Sequence, residues 1–233
     1  FLTVADPELS IGADTQRVIG IDILMPRDPQ AIMDAIRDGG YLGKRVHESA
    51  QMFPSAVFPN FGLGLYANFT ANAEVDASDT NFTYKYRNDT ALVFGFNFRL
   101  WDGRIKLGFN TRIVNRNEID RTDISTGSTD LTIESLTSEG VGVASDVGLI
   151  LTAPWKSLPT LAFVYRDAGN TRYNVQDGLF NNATTRPTTV PATLDAAIAF
   201  FPIVGKKTRT AITFEYRDVL NAILESPGGT NED

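Results

Sequence analysis

The chain has 233 residues, 42% of them hydrophobic and 21% charged, with a mean hydropathy of −0.11, a size that fits one all-β domain over residues 1–233. A net charge of −7, a pI of about 4.8 and cations scattered without a basic stripe argue against nucleic acid as a partner. The absence of cysteine excludes disulfides, thiolate metal sites and a cysteine nucleophile, and is compatible with passage through an oxidising periplasm.

No apolar run is long enough for a membrane helix. A transmembrane barrel, however, hides its apolar half at every second position, so alternation is the pattern to follow along the chain. Phe1 stands where an initiator Met is expected and no signal peptide is visible, which reads as a mature chain or a fragment. A weak strand is expected over Val18–Leu24. One short helix is expected near residues 28–38, with Asp28 as N-cap, Pro29 in the first turn, an apolar side of Ile32, Met33, Ala35 and Ile36, and Gly39-Gly40 as the stop. It can plug a lumen, cap a rim or lie over the end of a soluble β core. His47, the one histidine, has no acid beside it except Glu48 and reads as a surface residue rather than a catalytic base.

From Phe61 to Val75 every odd position is apolar, while Gly62, Gly64, Tyr66, Asn68, Thr70, Asn72 and Glu74 occupy the even ones. A strand sends successive side chains to opposite faces, so this run has one face for hydrocarbon and one for water or close packing. It is longer than the usual soluble strand of about five or six residues. The same period returns in Phe82–Arg87, Leu92–Leu100 and Ile105–Arg112. Asn88-Asp89 is expected to turn the chain between the first two, and Trp101-Asp102-Gly103-Arg104 to form a tight hairpin between the last two, since Asp-Gly supplies positive φ angles. Asp146–Leu151, Leu161–Arg166, Leu194–Phe201 and Ile212–Arg217 complete a meander of eight clear strands.

The connections alternate in length. Trp101–Arg104, Ala153–Thr160 and Pro202–Lys207 are short, whereas Asn115–Gly140 and Asp167–Pro191 are long and polar, as in outer-membrane barrels with short periplasmic turns. Asp120, Asp123 and Asp130 in the first long connection are calcium-ligand types without the spacing of a binding loop. No metal and no cofactor is expected, and no enzyme activity.

The phrase Tyr86-Arg87-Asn88-Asp89 returns as Tyr165-Arg166-Asp167 and Tyr216-Arg217-Asp218. With Trp101, the three tyrosines are expected to form an interfacial aromatic girdle, and each arginine to point inward. The expected lumen-facing polar set is Glu74, Lys85, Arg87, Arg99, Lys106, Arg112, Asp146, Arg166, Asp195, Glu215 and Arg217. Paired carboxylates can serve as acid and base, but charges kept from lipid by mutual pairing and water explain this mixture more simply.

The stretches Glu139–Leu149 and Leu158–Thr171, followed by Val190-Pro191-Ala192-Thr193-Leu194 and Phe214-Glu215-Tyr216-Arg217-Asp218, resemble the outer-membrane barrels related to the long-chain fatty-acid transporter and to the PorV-like barrels of type IX secretion. There, a strand entering an Asp-x-Gly-hydrophobic unit precedes a strand ending in Arg-Asn/Asp-x-Gly, a loop, and a Val/Leu-Pro opening the next strand. The resemblance covers roughly the second half. It implies an up-and-down transmembrane β-barrel of about fourteen strands, more than are counted here, so strands are expected to be missing or supplied by another chain. The Asn-Pro-Ala signature expected near a luminal plug is absent, and Ser226–Asp233 reads as a loop rather than an aromatic-terminated last strand.

Three functions follow as expectations: a bacterial outer-membrane barrel admitting a small hydrophobic solute, with the lipid bilayer as partner; a structural or secretion-partner barrel binding other envelope proteins through its loops; and a soluble β-fold with a ligand cavity.

Overall fold

The structure is a computed structural model that describes residues 2–3, 6–12, 15, 28–129, 131–174, 185–204 and 208–220. The weak strand expected at Val18–Leu24, Asp130 and the tail Ser226–Asp233 lie outside these residues. Twelve of the described strands form one antiparallel sheet. In order come β1 (Leu2–Thr3), β2 (Glu8–Ile11), α1 (Pro29–Asp38), β3 (Arg45–Met52), β4 (Ser55–Phe58), β5 (Phe61–Val75), β6 (Asn81–Leu100), β7 (Ile105–Ser125), α2 (Ile133–Leu136), β8 (Ser138–Thr152), β9 (Thr160–Arg166), β10 (Tyr173–Asn174), β11 (Thr193–Phe200), β12 (Ile203–Val204), β13 (Thr208–Arg209) and β14 (Ile212–Tyr216). The sheet path is β1-β4-β5-β6-β7-β8-β9-β11-β14, with β3 beside β5, β2 beside β3 and β10 beside β8. The pair β12-β13 forms a separate two-stranded antiparallel sheet.

β3 and β4 are one strand broken at Phe53-Pro54: both pair with β5, at Ala67–Glu74 and at Phe61–Gly64. Proline has no N–H for the ladder, and the Pro54 carbonyl instead accepts the Leu65 amide at 3.0 Å. The all-β meander is as the alternation implies. Its edges, β1/β2 and β14, do not pair with each other among the described residues, so the sheet is open and the closed barrel is not formed.

Two expected connections differ. β6 runs unbroken through Asn88 and Asp89, which face Phe69 and Asn68 on one side and Asn117 and Arg116 on the other. The turn preference of Asn-Asp is overridden because the Asp89 carboxylate is buried and held by Arg116 from the next strand. β7 likewise continues to Ser125 and β8 starts at Ser138, so most of the expected Asn115–Gly140 loop is strand. The hairpin at Trp101–Arg104 is as expected, with φ of 47° at Trp101, 52° at Asp102 and 80° at Gly103.

Register puts the alternating residues on two distinct faces. One, the apolar face, carries Phe61, Leu63 and Leu65 of β5, Leu92 to Leu100 of β6, Ile105 to Ile113 of β7 and Val143 to Leu151 of β8, each at every second position. At the end of the sheet with the short turns this face is bare: Phe96 is 47% exposed, Phe98 54% and Phe214 64%. At the long-loop end the same face is covered. There Ile32, Met33 and Ile36 of α1 lie on Val46, Ala73, Val75, Phe82 and Tyr84, joined by Leu131 and Ile119.

The helix starts and stops as its sequence implies. The Asp28 side chain accepts the Gln30 amide at 3.1 Å, and Gly40 ends it at φ 70°. Its place is on the apolar face, not the polar one, so it does not plug a lumen. Burial of its three large apolar side chains contributes roughly 1.5–3 kcal/mol each.

Candidate functional site

The polar face is where the sequence concentrates chemistry. Ten of the eleven polar residues expected to face inward share it by register, and Arg217 follows directly on the end of β14. Most are paired: Glu74 with Arg45 at 3.2 Å, Lys85 with Asp120 at 3.1 Å, Arg166 with Asp195 at 2.9 Å, and Arg217 with Glu215 at 3.0 Å. Apart from Asp195, whose side chain is mostly buried, the partners are open to water, and an exposed pair of this kind is worth at most about 1 kcal/mol. Arg99 and Lys106 stand opposite each other near the short-turn end without an ion pair among the described residues.

Two side chains that sequence reasoning assigned otherwise or passed over form the buried centre. Arg116 donates from Nε to one Asp89 oxygen at 2.7 Å and from Nη2 to the other at 2.8 Å, a bidentate pair. The Tyr173 ring lies 4.9 Å from the guanidinium carbon, within cation–π range. Burial pushes the Tyr173 phenol up to about 12. Beside it, Glu118 accepts the amide of Thr188 at 3.3 Å and its hydroxyl at 3.1 Å, and faces Arg87 at 3.8 Å.

Tyr173 and Thr188 belong to the described parts of the connection between β9 and β11, residues 167–174 and 185–192; Tyr173 lies on β8 and Thr188 reaches Glu118 of β7. Tyr173 and Val190 pack on Ala91, Val114 and Ala144. This strap lies directly on glycines. A Cβ on Gly142 would meet the Arg172 carbonyl oxygen at 2.8 Å, and one on Gly140 the Asn174 carbonyl oxygen at 2.8 Å. Long polar loops projecting from the rim were expected here; part of this one covers the polar face instead. Next to it a cleft of about 310 Å³ is lined by Asn68, Thr70, Asn72, Lys85, Arg87 and Glu118. His47 is not free in it: its Nδ1 is 2.8 Å from the Asn72 side-chain oxygen.

The recurring Tyr-Arg-Asp phrase has a structural cause at two of its three places. Asp167 and Asp218 have φ of 48° and 53°, a conformation Asp tolerates better than most residues. Their amides donate to carboxylates on a neighbouring strand, Asp167 to Asp146 at 3.0 Å and Asp218 to Asp195 at 2.9 Å. Each of these carboxylates also takes an arginine from the strand on its other side: Arg112 reaches Asp146 at 3.0 Å, and Arg166 reaches Asp195. Arg112 also contacts Asp167 at 3.1 Å. Asp146 and Asp195 are therefore turn locks as well as ion-pair partners.

The third occurrence is different. Tyr86 lies mid-strand and is only 5% exposed under α1, where it packs edge-on against Phe69; it is core and not an interfacial aromatic. Tyr165 is half-buried, Tyr216 and Trp101 are exposed, and Trp155, missed by the sequence reading, is exposed in the turn between β8 and β9. Asp120 and Asp123, read as loop residues, are part of β7. No protein-family model, curated protein or solved structure matches this chain.

Proposed function

We propose that this chain is part of an outer-membrane β-barrel resembling those of the long-chain fatty-acid transporter and PorV-like kind, with its apolar face in the bilayer and its polar face lining a lumen that admits a small hydrophobic solute. The observation that carries this is the bare part of the apolar face. It spans nine residues on each of three neighbouring strands, Leu92–Leu100, Ile105–Ile113 and Val143–Leu151, about 26 Å of strand at 3.3 Å per residue. A tilted strand needs about 9–11 residues to cross hydrocarbon. The polar interruption within it, Thr111 beside Ser145, is closed hydroxyl to hydroxyl at 3.3 Å. An apolar surface of this breadth is far larger than a monomer in water leaves bare. Above it two of these strands, β6 and β7, acquire α1 as a cover, as an apolar surface requires on entering water. In lipid the backbone edges of β14 and of β1/β2 need partner strands, from this protein or another.

A second reading, a barrel that acts as a scaffold or secretion partner, is favoured by the strap across the polar face, which narrows any path along it. The test is made on the complete gene product. A closed membrane barrel requires detergent to stay dispersed and migrates faster on a gel before boiling than after. Solubility without detergent and an unshifted band refute both membrane readings and leave a soluble β-fold. If the barrel stands, measurable single-channel conductance or solute uptake supports the transport reading, and a closed bilayer favours the scaffold.

A further inference from the structure

The short-turn end of the apolar face carries a cleft of about 510 Å³ between two hairpins. Trp101 stands in the turn between β6 and β7, and Trp155 in the turn between β8 and β9, while Ile105, Leu151, Leu161 and Phe200 form the floor. These are the two tryptophans of the chain. They are 76% and 68% exposed, and neither belongs to a core cluster among the described residues, so packing does not explain them.

Arg104 lines the cleft and Lys156 follows Trp155 in its turn. Both are exposed, and neither makes an ion pair among the described residues. Asp102 is the one carboxylate within the two turns. An apolar floor, aromatic walls with polar N–H tips, Arg104 in the lining and Lys156 in the adjoining turn match an amphiphile with an alkyl chain and an anionic head.

We propose that this cleft is a binding site for a glycerophospholipid with an anionic headgroup, its acyl chain along the floor and its phosphate at Arg104 and Lys156. The proposal rests on the reading that the apolar face lies in a bilayer. It takes the lipid class from the short-turn end, which in outer-membrane barrels is the periplasmic one.

Tryptophan fluorescence of the complete protein in vesicles tests it, because Trp101→Phe and Trp155→Phe each leave one indole in the cleft. Brominated phosphatidylglycerol is expected to quench either indole more strongly than brominated phosphatidylcholine at equal bromine content, with a preference of about fivefold per cation engaged. The double variant Arg104→Gln/Lys156→Gln, which alters two exposed side chains, brings that preference to unity. Strong quenching by both lipids without preference overturns the headgroup site and leaves the bilayer reading standing. No quenching by either overturns both. Displacement of the bromolipid by lipid A rather than by unlabelled phosphatidylglycerol overturns the assigned lipid class.

Discussion

Replacing Gly142 with alanine isolates the contact between the strap and the polar face. The added Cβ would sit 2.8 Å from the Arg172 carbonyl oxygen and 3.0 Å from the Tyr173 ring, and the nearer obstacle is backbone, so the strap must lift or β8 must bend. Overpacking of this kind costs about 1–3 kcal/mol. If the strap lifts, Tyr173, now 4% exposed, loses its burial and its cation–π contact with Arg116, the latter worth about 0.5–2 kcal/mol. The strap is therefore expected to open before the sheet does. Gly108→Ala is the control, because Gly108 is on the same face and a Cβ there meets nothing within 4 Å; it is expected to be neutral, or stabilising by about 0.4–1 kcal/mol. The assay is limited tryptic cleavage at Arg172 together with hydrogen exchange of the reciprocal Thr171 and Val190 amides, which now bond at 2.9 and 3.0 Å. Faster cleavage and exchange in Gly142→Ala alone is the expected result. Equal rates in the two variants would refute the idea that the strap is seated on a glycine floor.

Arg116→Met strands the Asp89 charge and is expected to cost about 3–5 kcal/mol in urea or thermal unfolding, most of it recovered when Asp89→Leu is added, since an apolar pair removes the buried charge altogether. Phe96→Arg, at the middle of the bare face, is expected to cost roughly 2–4 kcal/mol in a bilayer; a change within about 0.5 kcal/mol, as at a water-exposed site, speaks against lipid contact there. Asp76 accepts bonds from the Thr80 hydroxyl and from the Thr80 and Asn81 amides, which hold its carboxyl well below the ordinary range. Its contribution to the β5-β6 turn is therefore fully present above the unfolded carboxylate pKa of about 3.9 and is lost as pH falls toward its depressed folded value; carbon NMR of the Asp76 carboxyl is expected to give a midpoint below that of free aspartate. Tyr173 shifts the other way: its contribution is complete below about pH 10, the free phenol value, and is lost as pH rises toward about 12, which the difference in ultraviolet titration between the parent and Tyr173→Phe reads.

The two faces of the sheet were legible because alternation is a local property: each residue of the polar set needs only its neighbours two positions away to declare its side. Where the sequence reading misplaced elements, longer-range partners decided. Asn88-Asp89 has the composition of a turn, and the bond that keeps it in a strand comes from Arg116, 27 residues later. One local clue existed: the apolar positions are even-numbered on both sides of the pair, Phe82 to Tyr86 and Leu92 to Leu100, as one uninterrupted strand requires. Tyr86 was placed at a water–lipid boundary for want of any sign that α1 covers that stretch; the amphipathic pattern of a helix gives its apolar side but not the surface it meets. The strap was hidden for the same reason, although Gly140 and Gly142, alternating on the polar face of β8, mark the floor it needs. Trp155 lies in a turn outside any periodic segment, where alternation has nothing to report.

The uninterrupted meander has a kinetic corollary. From β3/β4 to β9, each main strand pairs with the next along the chain, and the tight links at Asn60, Asp76–Thr80 and Trp101–Arg104 require little loop entropy to close. Such a sheet can zip outward from the β6-β7 hairpin one strand at a time, each arrival finding a template already in register. The strap is the exception, because it can seat only after β7 and β8 have joined beneath it; its closure is therefore expected among the last events of assembly, after the sheet that carries it.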